Sequence, residues 1–179
     1  ISLETEASIA DIIIYAGNLA IEKSSGAEVP FSKGRGDATQ ENTDIDSFDV
    51  LEPYSDGFRN FHKNNLQSDP EEMLLDKAHM LGLTATEMVV LIGGLRSLGI
   101  SNNGYGLFTE DINTLSNDYF KTLLDMSVKW SPNGTGNSFI ATERVSGKKL
   151  RNASKIDLVL GSNSQLRAIV EVYASNDAE

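Results

Sequence analysis

The sequence predicts a mainly α fold, a helical domain carrying one small β-hairpin. Apolar residues recur at the helical interval in five segments, and most of these open on a capping residue or close on a glycine. Only one pair of alternating segments, on either side of Ser146-Gly147, reads as strands.

The first helix begins near Ser8, with Asp11 three residues on in a capping-box arrangement, and ends at Ser24-Ser25-Gly26. Its apolar face is Ile9, Ile12, Ile13, Ala16 and Ala20. From Glu28 to Gln67 the pattern is polar, irregular and rich in turn formers, a long loop that Phe31, Phe48, Leu51, Tyr54, Phe58 and Phe61 are expected to anchor. Asp69 caps a second helix with Pro70 at its first position, buried through Met73, Leu74, Ala78 and Leu81 and closed by Gly82. The next helix is the best signalled. Thr84 and Glu87 form a capping box, Leu83 and Met88 a hydrophobic staple, and Gly99 a terminator. Met88, Leu91, Ile92 and Leu95 make its apolar stripe, so Leu95 is expected in the core.

A loop over Ser101 to Gly106 leads to a helix capped by Ser116, with Phe120, Leu123, Leu124 and Ser127 on one face and Tyr119 and Met126 flanking it. Trp130-Ser131-Pro132 stops that helix, because proline disfavours helix in the residue before it. The hairpin pairs Phe139–Val145 with Lys148–Asn152. A helical turn over Ile156 to Leu160 follows, then a helix opened by Ser162 or Asn163 with Leu166, Ile169, Val170 and Tyr173 as its apolar side.

The chain has 179 residues, enough for one domain that buries roughly 70% of its unfolded surface. Fifteen Lys and Arg against 26 Asp and Glu give a net charge of −11, a surface that repels phosphate backbones and anionic lipid. Nucleic acid and membrane are therefore not expected as partners. The absence of cysteine removes disulfides, thiolate nucleophiles and cysteine-ligated metals. The longest apolar runs are far below the roughly 20 residues of a membrane span, so the expectation is a soluble protein with the cytoplasm as default compartment.

Chemistry-bearing patterns are scarce. His79 lies near the end of the second helix and His62 in a polar loop, neither with a partner at metal-ligand spacing. No nucleophile turn of the Gly-x-Ser-x-Gly kind is present. Gly34-Arg35-Gly36-Asp37 and Gly104-Tyr105-Gly106 neither follow a strand nor open a helix as a phosphate loop does, and turn chemistry explains both. Asp44, Asp46 and Asp49 lack calcium-loop spacing and read as solvated surface.

Taken together, the motifs nonetheless resemble one family. Ser8-Ile9-Ala10-Asp11-Ile12 with Ala16-Gly17, Gly34 to Gln40, Phe48 to Pro53 and Asp56-Gly57-Phe58-Arg59-Asn60 are similar to the C-terminal domain of bacterial-type catalase-peroxidases. Leu83-Thr84-Ala85, Glu87-Met88, Gly93-Gly94-Leu95-Arg96, Leu115 to Phe120, Leu123 to Met126, Asp157-Leu158-Val159 and Gly161 to Ala168 continue in the family's order. The resemblance covers Ser8 to Glu179, while Gly36 and Ile1 to Ala7 depart from the pattern.

The resemblance implies a haem-peroxidase-like helical fold, incomplete at both ends, with residues 1–179 forming part of the C-terminal domain of a two-domain protein. In that family the N-terminal domain holds haem b and decomposes hydrogen peroxide, whereas the C-terminal domain is expected to lack haem and catalysis. The proximal helix of the haem domain reads Gly-Gly-His-Thr. Here Leu95 stands in the place of the ligating histidine, and Asp157 matches the aspartate that would orient it. A buried carboxylate left with nothing to orient is costly. Arg96 is accordingly the expected partner of Asp157.

The implied role is to pack against the N-terminal haem domain of the same polypeptide, support its distal geometry and assist homodimer assembly. One alternative is a haem peroxidase using His79 or His62 as an unusual ligand. Another is a stand-alone acidic helical interaction module without enzymatic activity.

Overall fold

The computed structural model describes residues 6–47, 68–101, 104–134 and 138–177. The chain divides into two compact units, Ile1–Pro53 and Tyr54–Glu179.

The first unit is built on α1 (Ile9–Ser25). Ser8 caps it by accepting from the Asp11 amide, and Gly26 ends it in the left-handed conformation at φ 72°. The Asp11 carboxylate does not turn back to close a capping box as the spacing predicts. It reaches across to accept from the Gly34 amide at 2.7 Å and from the Arg35 side chain at 2.9 Å. Asp37 returns the bond, its carboxylate accepting from the Ile9 and Ala10 amides at 2.7 and 2.9 Å, where the helix leaves donors free. The glycine-bearing loop 34–37 is therefore a carboxylate clasp on a helix end. Two short 3-10 turns, Gln40–Asn42 and Ile45–Ser47, follow. Asp11 is the one residue of α1 that is buried, and Ile9, Ile13, Ile14, Tyr15, Leu19 and Ile21 are exposed, contrary to the apolar face expected to be covered. Of the expected loop anchors, Phe31 lies against Tyr15 with ring centroids 5.1 Å apart. Phe48, Leu51, Tyr54, Phe58 and Phe61 lie outside the described residues.

The second unit packs α2 (Pro70–Met80), α3 (Ala85–Ser97), α4 (Asp118–Leu123), α5 (Lys155–Ser162) and α6 (Ser164–Ser175) around one core. It also carries a three-stranded antiparallel sheet, β1 (Val128–Pro132), β2 (Ser138–Glu143) and β3 (Lys149–Ser154), in that order. The core is Leu74 and Ala78 of α2, Met88, Val89 and Ile92 of α3, Phe108, Tyr119, Phe120 and Leu123, then Ala153, Ile156, Leu160, Leu166 and Val170. Each large aliphatic side chain fully buried here contributes on the order of 1.5–3 kcal/mol. Leu81, expected on the buried side of α2, is half exposed, because it stands past the helix end as the C-cap.

The capping box of α3 is present in both directions. Its end is a Schellman arrangement, with the Ile100 amide donating to Leu95 O and the Gly99 amide to Arg96 O. The buried face comprises Met88, Val89, Ile92, Gly93, Arg96 and Ser97. At about 100° per residue that arc ends at Met88, and Leu95 falls just outside it. Leu95 is accordingly half-buried and not part of the core cluster, which corrects the expectation that it is core.

The sheet departs from the predicted hairpin. The helix expected to run on until Trp130-Ser131-Pro132 stops it ends at Leu123, where the Asp125 carboxylate accepts from the Ser127 amide at 2.9 Å and turns the chain. Val128–Pro132 then becomes an edge strand pairing Trp130 with Ala141, and Pro132 sits at its last position, where a missing donor is tolerated. The β2–β3 link spans 144–148 rather than two residues, with the Gly147 amide donating to Glu143 O. Asn163 caps α6 by accepting from the Gln165 and Leu166 amides.

A Cβ at Gly93 would stand 2.4 Å from Phe120 Cζ, whereas one at Gly94 would meet Leu115 Cδ2 at an ordinary 3.6 Å. Gly93→Ala should lower stability in urea by about 1–3 kcal/mol. Gly94→Ala should be neutral or stabilising by up to about 1 kcal/mol through helix propensity. In the first unit, the Gly34 amide and then the Arg35 side chain hold the Asp11 carboxyl below its ordinary 3.8. The clasp's contribution is present above that value and lost only as pH falls through the lower folded one. The Gly34 amide resonance should therefore stay unchanged down to 3.8 and move below it.

Candidate functional site

The site begins with a helix cap. Ser154, the last residue of β3, caps α5 by accepting from the Asp157 amide at 3.3 Å. The Asp157 carboxylate reaches back through Oδ2 to the Ser154 amide at 2.8 Å and the Ser154 hydroxyl at 2.7 Å. A carboxylate at this third helical position also faces the positive end of the helix. Oδ1 is then left pointing inward, towards α3 and α4.

There Arg96 Nε donates to Oδ1 at 3.0 Å and the Tyr119 hydroxyl donates to the same oxygen at 2.9 Å. Arg96 Nη1 also donates to Ile100 O at 3.2 Å, just beyond the end of its own helix. Asp157 and Tyr119 are fully buried and Arg96 is 3% exposed. Oxygen Oδ2 thus takes two donors from Ser154, and Oδ1 takes one each from Arg96 and Tyr119. Burial, and after it the negative charge of Asp157, push the Tyr119 phenol well above its ordinary range, so the phenol keeps its proton.

Gly106 closes the cluster. Its amide donates to Asn152 O of β3 at 3.0 Å, and its φ of 76° lies in the region that favours glycine. A Cβ there would stand 2.5 Å from Arg96 Nε and 2.6 and 2.7 Å from the two Asp157 oxygens. Only a backbone without a side chain can lie this close to the ion pair.

The structure brings together Arg96 and Asp157, which are 61 residues apart in sequence. It leaves Leu95 half-buried and out of this cluster. His79 is exposed on α2, and His62 lies outside the described residues. Among the described residues no group of three or more His, Asp or Glu stands at metal-binding geometry. A groove of about 370 Å³ runs over α3, α4 and α6, lined by Val90, Gly94, Leu115, Phe120 and Tyr173. A hollow of about 780 Å³ in the first unit is lined by Tyr15, Phe31, Lys33 and Arg35. Leu95, Asp157 and His79 line neither.

Sequence reasoning missed Ser154, Tyr119 and Gly106 as parts of the site. The Ser154-x-x-Asp157 spacing carries a capping signal that could have located the first. Tyr119 has no local signal, since its partner lies 38 residues away. Gly106 reads only as a turn glycine.

The arrangement holds two charges out of water and has no spare acceptor on the carboxylate. Such a pair adds little net stability over an apolar replacement, yet removing one member strands the other. Asp157→Asn would aim an amide N–H at donors and leave the Arg96 charge unbalanced, so a loss of about 3–5 kcal/mol in urea unfolding is expected. A loss below about 1 kcal/mol, as for a surface pair, would contradict this reading.

The chain matches the family model described as peroxidase over residues 2–176. It is 53% identical to catalase-peroxidase 2 of Alkaliphilus metalliredigens, over 98% of this chain and 44% of that protein. It is 52% identical to the catalase-peroxidase of Vibrio vulnificus, over 99% of this chain and 25% of that protein. For the catalase-peroxidase of Hyphomonas neptunium the identity is 50%, over 100% of this chain and 26% of that protein. The chain therefore spans between about a quarter and less than half the length of these relatives.

Proposed function

The chain belongs to the peroxidase family, and we propose that it acts there as a haem-free, non-catalytic C-terminal domain of a catalase-peroxidase. Residues 1–179 form part of that domain. It supports an N-terminal haem domain of the same polypeptide, which decomposes hydrogen peroxide and oxidises donors, and it helps the protein form a dimer. The partial coverage of relatives that are themselves catalase-peroxidases speaks for this role over that of a stand-alone module.

The observation that carries the reading is the filled coordination of Asp157. In the family resemblance this residue corresponds to the aspartate that orients a haem-ligating histidine, and Leu95 corresponds to the histidine itself. A leucine side chain has no lone pair to offer iron. The carboxylate takes donors from Arg96, Tyr119 and Ser154 instead of an imidazole. These residues do not suit a haem, and no chemical step passes through one here.

Exposed apolar side chains fit a packing role. Ile9, Ile13, Ile14, Tyr15 and Leu19 on α1 are surface of the kind that covers another domain or a second subunit. We place the work of the chain in the cytoplasm, in keeping with its bacterial relatives. No single helix among the described residues is long and apolar enough to cross a membrane.

Haemin titrated with this chain should give no stoichiometric Soret shift and no peroxide consumption. Leu95→His alone should leave both unchanged, because Arg96 would still occupy Asp157. A stoichiometric Soret shift lost on His79→Ala would overturn the proposal in favour of an unusual haem ligand.

A further inference from the structure

Filling the coordination of Asp157 does not exhaust what one buried titratable group, Tyr119, is placed to do. Tyr119 is fully buried, and its hydroxyl donates to a carboxylate that is itself ion-paired. It also lies at the centre of a row of aromatic rings. Phe108 stacks on Tyr119 with centroids 5.2 Å apart and planes 10° from parallel, and half-buried Trp130 lies 5.7 Å beyond Phe108. On the other side Phe120 meets Tyr119 edge-on at 5.4 Å, and half-buried Tyr173 follows at 5.9 Å. The row thus joins two partly solvent-exposed, oxidisable rings through one fully buried phenol.

We propose that Tyr119 is a one-electron redox site, reached through Trp130 and Phe108, with Asp157 as its fixed proton acceptor. The co-reactant is an outer-sphere one-electron oxidant, the class of species peroxidase chemistry generates. In the step, the Tyr119 phenol gives one electron to the oxidant, which is reduced by one electron. The phenolic O–H bond breaks and its proton moves along the existing hydrogen bond to Asp157 Oδ1, forming a new O–H bond. The products are a neutral phenoxyl radical and a protonated Asp157 that donates back to the phenoxyl oxygen. The positive charge left behind rests on Arg96, whose guanidinium also donates to Ile100 O.

Three features separate this arrangement from an ordinary core tyrosine. The proton acceptor is a charged carboxylate rather than a backbone carbonyl, and the helix cap on Ser154 fixes its position. An oxidised phenol is a strong acid, so an acceptor already in hydrogen-bond contact lets electron and proton leave together. Full burial then keeps the radical from water and soluble reductants. The inference concerns side chains of this chain alone and stands whether or not the longer protein is a catalase-peroxidase.

The test is photo-oxidation of the chain by a ruthenium tris-bipyridine complex with persulfate, followed by rapid freezing and electron paramagnetic resonance. A neutral tyrosyl signal is expected, coupled to one exchangeable proton that disappears in deuterated water. The signal should be lost in Tyr119→Phe and retained in Tyr15→Phe, Tyr105→Phe and Tyr173→Phe, and Trp130→Phe should lower its yield. Should Tyr119→Phe fail to fold, the exchangeable coupling in the native chain decides the matter. A signal that survives Tyr119→Phe, one without an exchangeable coupling, or a yield indifferent to Trp130→Phe would overturn the proposal.

Discussion

The second unit depends on one constraint: Arg96 and Asp157 carry opposite charges in a place where water does not reach. Taking either ion out of water costs several kcal/mol, and the attraction between them offsets this only if every remaining donor and acceptor is met. The surrounding chain supplies such partners residue by residue. Ser154 supplies two donors to one oxygen, Tyr119 supplies one to the other, and Ile100 O accepts from the far side of the guanidinium. Gly106 lies over the pair with backbone alone. The cluster therefore fixes α3 and α4 against the β3–α5 junction more specifically than apolar packing would, since an apolar contact tolerates sliding and these bonds do not.

Local signals made much of the fold legible. The Thr84–Glu87 box, the Pro70 start, the Gly26 and Gly99 ends and the Asn163 cap are all encoded within four residues of where they act. What failed was non-local. Val128–Pro132 reads as the tail of a helix because Phe120, Leu123, Leu124 and Ser127 keep helical spacing, and only pairing with β2 makes it a strand. The apolar side of α1 reads as core, but within the first unit the described chain offers little besides Phe31 to cover it. Leu95 reads as core from spacing alone, and the true buried arc of α3 is rotated away from it towards Gly93 and Arg96.

The same contrast applies to the site. The expected pairing of Asp157 came from a family resemblance joined to a cost argument, and neither spacing nor composition held it. The expected partner is in contact, at 3.0 Å, but it is not the whole of the answer. Ser154 completes the arrangement within a local capping spacing, but Tyr119 lies 38 residues from Asp157 and Gly106 further still, and no window of sequence displays those two contacts. In the functional reading, a helix frame that resembles a haem-ligating one carries leucine where the ligand would stand. The next residue turns inward instead and supplies the counter-charge. The proposed role follows from that exchange: interior chemistry is replaced by a fixed scaffold, and what the scaffold offers is its surface.

The most direct measurement is complementation. This chain would be added to a separately expressed N-terminal domain of a catalase-peroxidase that has little catalase activity on its own, and peroxide decomposition followed. Recovery of activity on addition of the chain, with no haem acquired by it, is the predicted result. Demonstrated binding between the two without any recovery would contradict the supporting role.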